Sequence, residues 1–315
     1  MGVKVGVVGV GNIGFGMGVN LLKGGFKVVA YDLRPDPLEA LRAKGAIIAP
    51  DLATVGRECP LIFSVVLDYP QNLEILDGPA GLLGSMAPGS TMFVCSTISP
   101  AQARELAARA LRQNIRLLDC PVSGGRRGAE NGTLTLMIGG QREAIEEHRR
   151  ALEAVSGKIY HLGDTGMGET AKAVNQALVA IHYVATAEAL LLAARSGLDL
   201  KQMLEIIINS EGYSRIFETR GIRMMDRKFE PIGVLKVIVK DTGIVLNTAD
   251  AFDLPMPMTS IARQMFQAGV NQGLGEEGSS AIVKVLEKMA GFSLAGITQK
   301  RGGDKTTGKG SDEIF

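Results

Sequence analysis

Three glycines and an aspartate carry the first chemistry legible in this sequence. Gly9-Val10-Gly11-Asn12-Ile13-Gly14 follows a β-branched run and opens a helical one, the setting in which a GxGxxG acquires meaning. Gly9 permits a tight turn, Gly11 lets a pyrophosphate approach the backbone, and Gly14 lets helix and strand pack closely. Backbone N–H groups at the helix start, around Asn12 and Ile13, would face the anion. Asp32 ends the second β-branched run 18 residues after Gly14, where a carboxylate accepts hydrogen bonds from ribose hydroxyls. That carboxylate favours NAD over NADP. Arg34 keeps NADP open, because its guanidinium can stack on adenine, pair with a 2′-phosphate, or sit solvated ahead of Pro35.

A second constellation lies at Gly166-Met167-Gly168-Glu169-Thr170-Ala171-Lys172-Ala173-Val174-Asn175-Gln176. Lys172 and Asn175, three apart, project from one helix face. A lysine among apolar residues near a helix start loses solvation and feels the positive end of the dipole, and both effects lower its pKa. Such an amine suits a general base for an alcohol proton. The plainer reading is a surface or snorkelling lysine.

Between these lies Asp119-Cys120-Pro121-Val122-Ser123-Gly124-Gly125, directly after an expected strand. Ser123 with Gly124 and Gly125 offers several N–H groups and a hydroxyl to a carboxylate, or forms an ordinary Pro-Gly turn. The strand ends at Val66-Leu67-Asp68 and Cys95-Ser96-Thr97 should open on the same crevice, because open parallel sheets bind ligands beyond their carboxyl edge. Thr97 either faces the cofactor or caps the helix that begins near Pro100.

The elements that must position these groups follow from periodicity. Strands are expected at 3–8, 27–31, 46–48, 61–66, 91–94, 115–118, 133–138 and 158–161, with amphipathic helices between most of them. The fold class is α/β: an N-terminal Rossmann domain with a doubly wound, mostly parallel sheet over residues 1–163. After Gly163 the strands stop. A long helix from Met167 to about Ser196 leads into an all-α domain over 164–298, with further helices near 199–209, 214–226, 234–252, 258–272 and 279–289. Residues 299–315 read as a polar, mobile tail.

Composition narrows the rest. With 315 residues, 46% of them hydrophobic, the chain can bury two cores. A net charge of +1, from 34 basic and 33 acidic residues, gives no field for nucleic acid or an anionic membrane. Cys59, Cys95 and Cys120 lack CxxC spacing and His148, His161 and His182 form no HExxH, so the reading is buried thiols and no metal. The apolar run 177–194, interrupted by His182, Thr186 and Glu188, reads as a core helix rather than a membrane span. The first residues carry no cleavable signal pattern, and a cytoplasmic location is expected.

GVGNIG, the STISP segment at 96–100, DCPVSGG with the following GAENGTL, GMGETAKAVNQ and the Lys240-Asp241 pair occur in this order. Together, over residues 3 to 290, they resemble the β-hydroxyacid dehydrogenase family, which includes 3-hydroxyisobutyrate dehydrogenase, tartronate semialdehyde reductase and threonate dehydrogenase. The resemblance implies Lys172 as catalytic acid/base and Ser123, Gly124 and Asn175 as substrate contacts. It further implies Thr97 as a cofactor contact, Lys240 reaching the site from the helical domain, and a homodimer or homotetramer formed through that domain. A small hydroxy acid or semialdehyde would be the substrate. Two departures stand out: Cys120 replaces a usual Ala, and no Trp follows Ser214. The segment 211–217 looks more like threonate-type members.

Two rival readings remain. A decarboxylating 6-phosphogluconate-type dehydrogenase would need cations for a substrate phosphate, with Arg126 and Arg127 as candidates, but the helical domain is short for it. A non-catalytic NAD sensor would lack the base or the substrate loop.

Overall fold

Short runs of Val, Ile, Phe and Leu alternate with amphipathic stretches through the first half of the chain. In the computed structural model, which describes residues 3–295, this alternation folds as repeated strand and helix. The order is β1 Lys4–Val8, α1 Asn12–Lys23, β2 Lys27–Tyr31, α2 Pro35–Arg42, β3 Ile47–Ile48, α3 Leu52–Glu58, β4 Leu61–Ser64, α4 Tyr69–Asp77, β5 Thr91–Val94, α5 Pro100–Leu111 and β6 Arg116–Asp119. These six strands form one parallel sheet, ordered β3-β2-β1-β4-β5-β6. The order reverses beside β1, so the switch point faces the loops after β1 and β4.

Side-chain alternation assigns the two faces. Val5, Val7, Val28, Ala30, Phe63 and Phe93 pack on one side with Met17 and Leu21 of α1. Val8, Val29, Ile62, Met92 and Val94 pack on the other with Val55, Ile75 and Leu106 of α3, α4 and α5. Burial on both faces is why these strands read as continuous apolar runs. Helix starts carry their own signals: Asp51 caps α3, Asp68 caps α4, and Ser99 with Gln102 builds a capping box on α5.

The later strands do not extend this sheet. β7 Val122–Ser123, α6 Gly125–Asn131, β8 Leu134–Ile138, α7 Arg142–Glu147, α8 Arg149–Val155 and β9 Ser156–His161 follow. The three strands make a separate sheet, with β7 antiparallel and β9 parallel to β8. β7 is absent from the sequence expectation because two residues before a Gly-Gly pair give no period to detect.

Beyond Gly163 only helices of any length occur among the described residues: α9 Met167–Arg195, α10 Leu200–Ile208, α11 Ile222–Met225, α12 Leu235–Asp250, α13 Pro257–Asn271 and α14 Ile282–Ala290. The stretch expected as one helix over 214–226 contains a π-helical segment, Phe217–Gly221, ahead of α11. α9 is long and apolar enough to cross a membrane, and 56% of its most apolar window is buried in the fold, the pattern of a core helix.

Contacts group the described residues into two compact units, 3–177 with 240–257 and 178–239 with 258–295. The first turns of α9 and all of α12 from Lys240 onward therefore group with the sheet unit. The second unit has its own core around Leu190, Met224, Leu235, Val283 and the edge-to-face pair Tyr183–Phe266, whose centroids are 6.0 Å apart. Arg227 grips the buried Glu287 carboxylate with two hydrogen bonds of 2.6 and 3.0 Å. The expected tail 299–315 lies outside the described residues.

Candidate active site

The glycine turn sits where β1 hands over to α1. Gly9 has φ +90°, and a Cβ there would lie 2.5 Å from the Val65 carbonyl oxygen. A Cβ on Gly14 would collide with the Gly9 carbonyl oxygen, whereas one on Gly11 would meet nothing nearer than 3.7 Å. Gly9 and Gly14 are thus required by packing, while Gly11 leaves open space above the turn. α1 begins at Asn12 with no side-chain cap. Its first N–H groups, including that of Ile13, are left for an outside acceptor. These residues fit a dinucleotide pyrophosphate.

Asp32 follows β2 and holds the turn from behind. Its Oδ2 accepts from the Val10 N–H at 2.7 Å, and its Oδ1 from the Arg34 N–H at 2.9 Å. The Arg34 guanidinium closes a fork on both oxygens at 3.1 Å. Burial pushes the Asp32 carboxyl up, but the hydrogen bonds from the Arg34 side chain, the Arg34 backbone and Val10 outweigh it and hold it below the usual range. Arg34, read from sequence as a stacking, phosphate-pairing or solvated group, is here an exposed partner of Asp32.

The β4 and β5 ends are tied together by a buried cluster that sequence reading did not find. Asn72 of α4 donates to the Ser96 hydroxyl at 2.7 Å and to the Asp68 carbonyl at 2.7 Å, and accepts from Ser64 at 2.8 Å. Ser96 in turn donates to the Val66 carbonyl at 2.7 Å. Leu67, next in the chain, is exposed, and its N–H is received by Gln71 at 2.9 Å. Thr97 does not cap α5; Ser99 does. The Thr97 carbonyl instead accepts from Lys240 Nζ of α12 at 2.6 Å.

Lys172 is buried, with 8% of its surface exposed, and its Nζ donates to the Val122 carbonyl at 2.9 Å. The surface reading of this lysine is excluded. Its helix is held in place by Asp119 at the end of β6. Asp119 Oδ1 accepts from the Gly166 N–H at 2.7 Å and Oδ2 from the Glu169 N–H at 2.9 Å. Gly168 makes this seat possible, since a Cβ there would lie 2.8 Å from Asp119 Oδ2 and run into the Met137 carbonyl. Burial pushes the Asp119 carboxyl up against these backbone donors.

Asp241, adjacent to Lys240 on α12, completes the surroundings. Lys240 Nζ lies 3.0 Å from Asp241 Oδ1, and Gln176 donates to Oδ2 at 2.5 Å. Gln176, four residues after Lys172, is buried on the same helix face, while Asn175 is half-buried and donates to Gln176 at 2.9 Å. Gln176 is the neighbour of Lys172 that the three-residue spacing missed. Burial pushes the Lys172 ammonium below the ordinary lysine range; Asp241 and Glu169 pull it back, and Lys240 adds to the lowering.

Ser123 closes β7, and Gly124 and Gly125 follow with φ of +127° and +60° into α6. Because Val122 carries the carbonyl that Lys172 touches, the Ser123–Gly125 backbone begins one residue from the lysine contact. Arg126 is engaged by Glu130 at 2.7 Å and exposed, as is Arg127. All three cysteines are buried and free.

The chain is similar to known proteins over most of its length. Residues 4–163 match a family described as the NAD binding domain of 6-phosphogluconate dehydrogenase. Residues 166–286 match the family described as NAD-binding of NADP-dependent 3-hydroxyisobutyrate dehydrogenase. The chain is 35% identical over 284 residues to the L-threonate dehydrogenase of Cupriavidus necator, covering 90% of this chain and 96% of that one. It superposes with a TM-score of 0.84 on the crystal structure of a 3-hydroxyisobutyrate dehydrogenase from Salmonella typhimurium, at 35% identity over 90% of this chain and 99% of that chain. A structure titled as Psf3 in complex with NADP+ and 2-OPP superposes with a TM-score of 0.83 at 26% identity, covering 90% of this chain and 99% of that one.

Proposed function

The chain belongs to the β-hydroxyacid dehydrogenase family, and from that premise we propose that it oxidises a small 3-hydroxy acid, threonate-like in the first instance, with Lys172 as acid and base. It is an NAD(P)-dependent hydroxyacid dehydrogenase; the substrate and the residue roles are our reading. The observation that carries it is the buried Lys172 amine beside the Ser123 loop, on the carboxyl side of the sheet whose glycine turn fits a dinucleotide.

The nicotinamide, when bound, accepts or supplies the hydride. Gly9, Gly11, Asn12, Ile13 and Gly14 hold the pyrophosphate, and Asp32 with Arg34 selects the adenosine ribose, with NAD preferred and NADP tolerated. Leu67, Thr97 and Lys240 line the cofactor's other half. Ser123, Gly124 and Gly125 hold the substrate carboxylate through backbone N–H groups and the serine hydroxyl. Asn175 orients the reacting oxygen, and Lys172 Nζ takes the hydroxyl proton as the alcohol is oxidised and returns it in reduction. A depressed ammonium pKa supplies the neutral amine that oxidation requires.

Exposed apolar side chains at Leu178 and Leu192, 53% and 70% exposed on one face of α9, support a homo-oligomer formed through the helical unit. A cytoplasmic location fits the buried, free thiols.

The test is NADH formation with a panel of three- to five-carbon hydroxy acids, repeated with NADP. Lys172→Ala should lose on the order of 10²- to 10⁴-fold in turnover while still binding NAD. Wild-type turnover in that variant would end the Lys172 assignment, and silence across the whole panel would end the assignment of a small three- to five-carbon substrate.

A further inference from the structure

Glu169 stands one helical turn before Lys172, and the chemistry above gives it no part. It is fully buried, and neither of its oxygens completes a well-formed hydrogen bond. A bare carboxylate in such a place is strongly unfavourable. The neighbouring Asp119 has taken the backbone donors at the start of α9, including the N–H of Glu169 itself. When two carboxyls share a buried site, the one with donors keeps the charge and the other keeps its proton.

The charged and titratable groups facing Glu169 pull in both directions, and burial decides between them. Asp119 at the end of β6 and the Cys120 thiol just after it approach from one side, Lys172 from its own helix and Lys240 from α12. Burial, reinforced by Asp119, pushes the Glu169 carboxyl well above its ordinary range, against the Ile98 backbone, Lys172 and Lys240. An ionised Glu169 would add a second buried negative charge beside Asp119, with no well-formed hydrogen bond of its own, where a carboxylate substrate must be received.

We propose that Glu169 rests as a neutral carboxylic acid and serves as a positioning residue, packing behind Lys172 without adding an anion that would fix the amine as ammonium. The proposal rests on the reading of Lys172 as the proton-transferring group.

Infrared spectroscopy of the full chain tests it. A carbonyl stretch from a protonated acid should be present at neutral pH, should move on ¹³C-glutamate labelling, and should vanish in Glu169→Gln. In the same variant the acidic midpoint of kcat/KM for oxidation should shift by less than about half a pH unit, because one neutral group replaces another. Absence of the band in the labelled wild type overturns the proposal, with no need for the variant to fold. So does a fall in the midpoint of about one unit or more, which is what deleting a buried anion would cause. Undiminished turnover of Lys172→Ala would sink the Lys172 reading yet leave the infrared band, so the two failures are separable.

Discussion

Burying a lysine amine against a single carbonyl changes what that amine can do. Lys172 donates to Val122 and is otherwise enclosed, so the ammonium is disfavoured relative to the unfolded chain. The unfolded state then binds more protons than the folded one between the lowered folded pKa and the ordinary lysine value. Stability contributed by this site should therefore rise with pH through that window. Lys172→Met should flatten the slope, a result readable from melting temperatures across alkaline pH. Asp32 gives a slope of the same sign, in the acid range instead. Its lowered carboxyl pKa adds stability that is present above the unfolded aspartate value and is lost as pH falls through the folded one. Asp32→Ala should also weaken NAD by about ten- to a hundredfold in a binding titration, the worth of a charge-assisted hydrogen bond; equal affinity would remove Asp32 from the cofactor site.

At the scale of elements, caps and close approaches decide where the side chains arrive. Ser99 and Gln102 start α5, and Ser99→Ala should cost about 1 kcal/mol of unfolding free energy in urea titration. Asp119 performs the same service across the fold, holding Gly166 and Glu169 of a helix 47 and 50 residues away in sequence. Asp119→Ala should leave two buried N–H groups without acceptors and destabilise the chain by about 2 to 6 kcal/mol, counted at about 1 to 3 per orphaned donor. The six parallel strands were legible because apolar runs of the right length alternate with capped, amphipathic stretches. Lys172 was legible as a candidate for the same local reason. The partners that enclose it were not: Val122, Asp241 and Gln176 meet it through long-range packing or a four-residue step, and no local pattern marks the first two. The Asn72 cluster is likewise invisible in sequence, because a buried Asn is recognised only by what it bonds to.

The whole molecule exposes less chemistry and more surface. Leu178 and Leu192 lie open on α9, and the proposed oligomer gives them a partner surface. Leu178→Glu with Leu192→Glu should lower the mass seen by light scattering to that of one chain; unchanged mass would place the interface elsewhere. The helical half was foreseen to within a few residues at most helix ends, since Ala, Leu, Met and Lys dominate it. The π-helical turn at 217–221 was not, because its sequence has ordinary helical periodicity.

The seat of α9 on Asp119 limits how this protein can be cut. A fragment ending at Gly163, where the strands stop and a scissor would naturally fall, retains the glycine turn and Asp32 but strips Asp119 of both its amide donors and leaves a naked acid at the heart of the remnant. Extending the piece to Ala177 restores those donors, yet Asp241 and Lys240 still arrive from a stretch more than sixty positions downstream. No one-piece excerpt of the chain short of residue 257 contains the complete sheet-bearing unit, so minimal versions will have to splice rather than truncate.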